Sequence, residues 1–122
     1  IDIRNELTDE WNRGGIKEGL EYAILTDEIT KAWSGMTTKQ YKSLKDLKKE
    51  SLRDNMTNME LVLNMLAEAA TTEISKQESP YGLNEHKKAA KRGGTVAQKA
   101  RKELEEQTGK SVISSDSIKK LK

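Results

Sequence analysis

Several residue types that commonly build sites and cores are missing from this chain or rare in it. There is no cysteine and only one histidine, so the chain can form no disulfide and no metal site of thiolates or paired histidines. Phenylalanine is absent, and Pro80 is the only proline. No apolar run approaches the ~20 residues that span a membrane. We therefore expect a protein without metal, cofactor or membrane segment, in a reducing compartment such as the cytoplasm.

The composition is rich in charge and in helix-forming residues. Of the 122 residues, 34% are hydrophobic and 34% are charged, which predicts one soluble, thinly cored domain. Alanine, glutamate, lysine and leucine abound, and β-branched residues are scattered, so we predict an all-α fold of about five helices. We divide the single domain, 1–122, into core helices at 1–79, a long helix within 80–109 and a tail at 110–122. Because the first residue is Ile1 and not methionine, we expect a fragment of a longer protein.

The segment from Thr57 to Lys76 is predicted to be a buried central helix. Thr57 and Glu60 have the spacing of a capping box, which opens a helix. Apolar residues then recur at steps of three and four and cover more than half of the circumference: Met59, Leu61, Val62, Leu63, Met65, Leu66, Ala69, Ala70 and Ile74. We expect this face, with Leu66 inside it, to dominate the core.

Two helices are predicted near the amino-terminal end. The first runs from Ile3 to Arg13 and ends at the glycine pair that begins with Gly14. Residues 16–25 are interpreted as an irregular connection, because a glycine interrupts their pattern. Thr26 then caps the second helix, which Gly35 ends.

A short third helix is predicted before the central one. Thr37 and Gln40 repeat the capping-box spacing, and the helix continues through Leu44. Trp11 and Trp33 could stack on bases, but each lies at an apolar phase of its helix. We therefore expect both tryptophans in the core.

The last helix is predicted to be the longest. It runs from Leu83 or Asn84 to Gln107, with Asn84 as its N-cap and Gly109 as its stop. A break at the two consecutive glycines in its middle is the competing interpretation, because each costs roughly 1 kcal/mol in a helix interior. The tail beyond it, KSVISSDSIKKLK, is expected to be loosely docked or frayed.

One line of this long helix has the heptad spacing of a coiled coil, but most of its residues are small. Small residues allow two helix backbones to approach closely. We predict an interface of a two-fold homodimer here, and packing of the same line on the central helix is the intramolecular alternative. The line consists of His86, Ala90, Gly93, Ala97, Ala100 and Leu104.

Positive charge is concentrated in two stretches, although the net charge is only +2. On amphipathic helices such stretches are usually solvated faces that pair with nearby acids. The alternative is weak contact with nucleic-acid phosphates. The candidates for that contact are Lys39, Lys42, Lys45, Lys48 and Lys49 in the first stretch, and Lys87, Lys88, Lys91 and Arg92 in the second.

No group of residues has the pattern of a catalytic site. The carboxylates of Glu68 and Glu73 lie in one helix, but no second catalytic group has a definite place beside them, so we interpret both as ordinary surface acids. The single histidine, His86, is interpreted as a residue of the helix seam or helix start. We therefore expect a protein that is not an enzyme.

Two long segments resemble one bacterial family. Residues 29–76, ITKAWSGMTTKQYKSLKDLKKESLRDNMTNMELVLNMLAEAATTEISK, and residues 93–114, GGTVAQKARKELEEQTGKSVIS, closely resemble the carboxy-terminal part of DNA damage-inducible protein D, a relative of BRO-type phage antirepressors. The resemblance covers most of the chain. In that family an amino-terminal BRO domain, which has no counterpart here, is held responsible for DNA binding.

The resemblance implies a non-enzymatic regulator of the DNA-damage (SOS) response or of prophages. It would act by binding DNA or other proteins, with regulatory or recombination proteins among its partners. The family offers no catalytic residue to carry over. We expect an interaction or oligomerisation module that binds DNA weakly, or only through the missing domain, and direct DNA binding by the basic helix faces is the alternative.

Overall fold

The computed structural model describes residues 2–116, and it consists of helices joined by short connections. Five α-helices follow one another, and the described residues contain no strand, which confirms the predicted all-α class. None of the helices in this range is long and apolar enough to cross a membrane. The helices are α1 (Ile3–Arg13), α2 (Leu20–Ser34), α3 (Thr38–Leu44), α4 (Asn58–Glu78) and α5 (Leu83–Thr108), with one turn of 3₁₀ helix at Arg53–Asn55 before α4.

Both predicted capping boxes are present. At α3, the Thr37 hydroxyl accepts from the Gln40 N–H at 3.1 Å, and the Gln40 side chain accepts from the Thr37 N–H at 2.9 Å. At α4, the Thr57 N–H donates to Glu60 Oε1 at 2.8 Å, and the reciprocal bond is 3.4 Å long. Each box satisfies N–H groups that the helix itself cannot pair, so these two helix starts follow from local sequence.

One predicted helix start, that of α2, and one predicted N-cap, that of α5, are wrong. Helix α2 begins at Leu20, directly after Gly19. Gly19 has a φ of 89°, which is incompatible with a right-handed helix, so the helix cannot extend further toward the amino terminus. Thr26 lies inside this helix and does not cap it: its hydroxyl donates to the Tyr22 carbonyl at 2.8 Å. The N-cap of α5 is Gly82 and not Asn84.

Helix α5 packs against both α2 and α4, and it is continuous through its two central glycines, as predicted. A Cβ atom at Gly93 would lie only 2.6 Å from the backbone nitrogen of Thr71 in α4. A Cβ atom at Gly94 would collide with Ala32 and approach the Ile29 carbonyl oxygen of α2 to 3.0 Å. The two glycines therefore bring α5 close to both neighbours at once.

The core is built by side chains from all five helices and the connection before α4. Trp11 and Trp33 are fully buried, as predicted, and Trp33 Nε1 donates to Asn64 Oδ1 at 3.1 Å. The connection between α3 and α4 adds Leu47, Leu52 and Met56.

The buried face of α4 differs from the predicted one. Met59, Val62 and Leu66 are exposed, and Leu63 and Ala67 are the buried hydrophobic residues of this helix. The polar residues on the buried face are Glu60, Asn64, Glu68, Thr71, Thr72 and Ser75. All of them except Ser75 have hydrogen-bond partners inside the protein. Burying a polar group is tolerated when it is bonded. Thr71 and Thr72 donate to carbonyls of α4 itself, but the partners of Glu60, Asn64 and Glu68 include distant segments, which hydrophobic periodicity cannot reveal.

The segment after α5 is docked more firmly than predicted. Val112 and Ile113 pack against the core, and the Val112 N–H donates to Glu105 Oε2 at 2.9 Å. The Ser114 N–H donates to the buried Glu60 carboxylate, and the Asp116 carbonyl accepts from the buried Lys45 ammonium. The rest of the predicted tail, 117–122, lies outside the described residues.

Candidate functional surfaces

The small-residue line of α5 lies inside the fold. His86, Ala90, Gly93 and Ala97 are buried beneath the protein's own helices, and Ala100 and Leu104 are half-buried. The prediction of a dimer interface at these residues is therefore corrected in favour of the intramolecular alternative. A second chain could reach the four buried residues only if α5 left α4 and α2.

The first basic stretch lines a groove beside α3. A deeper cavity of about 280 Å³ and a wider one of about 920 Å³ share Arg4, Thr26, Thr38 and Lys42, so they form one continuous depression, which we call the basic groove. Lys39, Lys42 and Lys48 line it, whereas Lys49 is exposed and does not.

A buried carboxylate holds two arginines at this groove. Glu68 accepts from Arg4 at 3.1 Å and from Arg53 at 2.7 Å, and its side chain is almost wholly buried. The interpretation of Glu68 as an ordinary surface acid is therefore wrong, whereas Glu73 is exposed. Arg4 also donates to the Thr26 hydroxyl at 2.8 Å. The sequence does not point to Arg4 as part of a basic site, because Arg4 lies in an acidic part of the chain, far from the two basic stretches.

Lys45 belongs to the basic stretch in sequence but not to the surface. Its ammonium is fully buried and lies 2.7 Å from Glu60 Oε1. Tyr41 donates its hydroxyl proton to the same carboxylate, and burial together with this bond raises the pKa of Tyr41 far above its usual value. The Ser114 N–H also donates to Glu60, and Lys45 donates to the Asp116 carbonyl. Contact between Lys45 and nucleic acid is therefore excluded by its position.

The second basic stretch lies along α5, away from the groove. Lys88, Lys91 and Arg92 are exposed and Lys87 is half-buried. Lys91 borders a small depression with Glu28 and Lys31 of α2. The basic groove touches α2 at Ala23, Thr26, Asp27 and Thr30, which occupy a different side of that helix.

These basic residues of α5 have acidic neighbours. Arg92 donates to both carboxylate oxygens of Glu78, at 2.6 and 2.7 Å. Such an exposed pair usually contributes less than about 1 kcal/mol. The structure therefore does not unite the two stretches into one basic surface.

An apolar surface that we did not predict lies on the outer side of α4. Met59, Val62 and Leu66 are 42%, 54% and 37% exposed. Ala69 and Ala70, half-buried, continue this line along the helix. We call these five residues the α4 face. The sequence pattern identified them as apolar but could not show that they point outward.

No group of three or more histidine, aspartate or glutamate side chains in residues 2–116 could hold a metal ion. The two buried carboxylates, Glu60 and Glu68, are each engaged by cations. What the surface offers is a positively charged groove and an apolar helix face, which are features of binding.

Comparison with known proteins identifies one family. A family model described as the DinD C-terminal domain matches residues 2–120, nearly the whole chain. This match confirms the resemblance to the carboxy-terminal region of DNA damage-inducible protein D, whereas kinship with BRO-type antirepressors stays a prediction. The comparison with curated proteins and that with solved structures returned no match. The basic groove, the α4 face and the Lys45–Glu60 pair all lie within the matched residues.

Proposed function

Because the chain belongs to the family of DinD C-terminal domains, we propose that it is a non-enzymatic interaction module of a cytoplasmic regulator of the DNA-damage response. The module self-associates: the α4 face docks on the α4 face of a second copy. The observation that carries this proposal is the exposure of Met59, Val62 and Leu66 on one side of one helix.

The α4 face is unusual for this protein because it has no charge. A third of the chain is charged, yet the outward positions of α4 from Asn58 to Ala70 are uncharged. Contiguous apolar surface on a soluble protein commonly marks a binding site. Its burial against another apolar surface would be favourable by about 25 cal/mol for each Å² removed from water.

The order of large and small residues favours a second copy as the occupant. Large side chains, Met59 and Val62, lie in the amino-terminal half of the face, and Ala69 and Ala70 lie in the other half. In an antiparallel pair centred on Leu66, Val62 of one copy meets Ala70 of the other, and Met59 lies opposite the position of Glu73. A parallel pair would oppose alanine to alanine and leave a gap, which close packing disfavours.

The antiparallel pair is also favourable for the charge at the end of the face. Glu73, the first acid beyond Ala70, would lie near the amino-terminal end of the other copy's α4. A carboxylate near a helix amino terminus is stabilised by the helix dipole, typically by about 0.3–1 kcal/mol. The contact is isologous, as a two-fold dimer requires.

Sedimentation and light scattering at high micromolar concentration test this proposal. We expect a dimer, and Leu66→Glu should convert it to a monomer because it would place two carboxylates at the centre of the interface. Leu20→Glu is the matched control, since Leu20 is a leucine of α2 that is 76% exposed. A monomeric parent chain, a dimeric Leu66→Glu variant, or dissociation by both variants would contradict the proposal.

A further inference from the structure

The basic groove combines positive charge with an apolar floor. Five cations line it, namely Arg4, Lys39, Lys42, Lys48 and Arg53, and the acids among the lining residues are Asp27 and Glu68. Both acids are already engaged: Glu68 accepts from the two arginines, and Asp27 accepts from the Thr38 N–H at 2.7 Å. The groove therefore carries an excess of three positive charges by this count.

The arginines are held in place before any ligand arrives. Glu68 fixes the guanidinium groups of Arg4 and Arg53 from one side, and Arg4 also lies over the Trp11 ring, 5.1 Å from its centroid. A guanidinium has five N–H donors in a rigid plane, so these few bonds leave donors over for an anion. Ordering the cations in advance lowers the entropy that binding must overcome.

We propose that this groove binds the sugar-phosphate backbone of a single nucleic-acid strand. The lysines and arginines would contact successive phosphates, while the largely buried Leu47, Leu52 and Met56 form the apolar floor beneath them. Guanidinium groups match the geometry of phosphate oxygens, and lysines track a flexible chain of charges. A duplex, whose major groove alone is about 12 Å wide, is too wide to enter the cavity of about 280 Å³ and would contact only the lysines at the rim.

The groove is expected to bind without sequence preference. None of the described residues that line it is aromatic, so it has no platform on which bases can stack. Affinity then depends on phosphate neutralisation, and log affinity should fall with log salt by about 0.7 for each phosphate contacted. Three or four contacts give a slope of about −2 to −3.

The groove is available in the proposed dimer. Glu68 lines the groove and Leu66 lies in the α4 face, two residues apart on α4 and thus about 200° apart around the helix. Binding by the groove does not depend on self-association, so the two proposals can fail separately. The Leu66→Glu variant should bind oligonucleotide with the affinity of the parent chain for each copy.

Fluorescence anisotropy with a labelled thymidine oligomer, at two salt concentrations, tests this site. The triple variant Lys39→Ala, Lys42→Ala, Lys48→Ala removes three charges from the groove. The control variant Lys88→Ala, Lys91→Ala, Lys99→Ala removes the same charge from exposed positions of α5. We expect the groove variant to weaken binding at least tenfold and to flatten the salt slope by about two, and the control to change affinity less than threefold.

Further measurements distinguish binding of a nucleic-acid strand from binding of other anions. Inorganic phosphate at millimolar concentration should compete weakly, because it offers one phosphate where a strand offers several, and a duplex of the same length should bind more weakly than the single strand. No oligonucleotide binding, equal losses in the two triple variants, or preference for duplex would overturn the proposal. Equally tight binding of polyglutamate through the same lysines would also overturn it, since the groove would then be a general site for acidic chains.

Discussion

The Lys45 ammonium and the Glu60 carboxylate form an ion pair, 2.7 Å apart, that is wholly shielded from solvent. Each partner is engaged further: Tyr41 and the N–H groups of Thr57 and Ser114 donate to Glu60, and Lys45 donates to the Asp116 carbonyl. The pair thus joins the end of α3, the start of α4 and the segment after α5. Glu60 therefore caps α4 locally and, through these bonds, also links three segments that are distant in sequence.

Lys45→Met should destabilise the protein by about 3–5 kcal/mol, because the Glu60 charge would stay buried without its cation. Urea unfolding at neutral pH measures the loss. Lys48→Met, in which the replaced lysine is exposed, should change stability by less than about 0.5 kcal/mol. The double replacement Lys45→Met, Glu60→Gln should recover part of the loss. If the single variant unfolds like the parent chain, the pair is not buried as described.

Leu63→Ala and Leu66→Ala should differ sharply although the residues are three positions apart. Leu63 is buried, so its truncation should cost about 2–5 kcal/mol by leaving a cavity. Leu66 lies in the exposed α4 face and should cost about 1 kcal/mol or less. Urea unfolding at low protein concentration, where self-association contributes little, compares the two. If Leu66→Ala were more destabilising than Leu63→Ala, Leu66 would belong to the core, as the sequence pattern predicts.

Gly93→Ala should destabilise the protein by about 1–3 kcal/mol, because the new Cβ has no room beside Thr71. Alanine is otherwise the better helix former by roughly 1 kcal/mol, so the sign of the change is informative. Lys99→Ala, at an exposed position of α5, is the control and should be nearly neutral. A stabilised Gly93→Ala protein would mean that α5 and α4 are not in close contact at this point.

Stability should decrease as the pH is lowered from about 7.5 to about 5.5, because of His86. Burial lowers its pKa, more than the Pro80 carbonyl and the charges of Glu10 and Glu85 raise it. A histidine with a lowered pKa binds fewer protons when folded than when unfolded, so its contribution is present above the unfolded pKa of about 6.5 and is lost as the pH falls toward the folded pKa. Urea unfolding across this range measures the slope. His86→Gln, which removes the only histidine, should flatten it, and an unchanged slope would assign the effect to other groups.

Much of the fold follows from short-range sequence signals. The capping boxes at Thr37 and Thr57, the left-handed stop at Gly109 and the apolar phases of Trp11 and Trp33 were all predicted from neighbouring residues, and the structure confirms them. These features depend on local backbone hydrogen bonds and on helix periodicity. Both act within a few residues along the chain, so the sequence alone contains them.

The two binding surfaces were decided by tertiary structure. Arg4 and Arg53 join at Glu68 although 64 and 15 residues separate them from it. Periodicity showed that α4 is apolar on much of its circumference. It could not show that its bonded polar side faces inward and that Leu66 faces outward, because hydrogen-bond partners from distant segments determine which groups are favourable to bury. The sequence by itself determined the helical class and the starts of α1, α3, α4 and α5, although not that of α2, and long-range pairing decided which side of each helix is buried and which can bind.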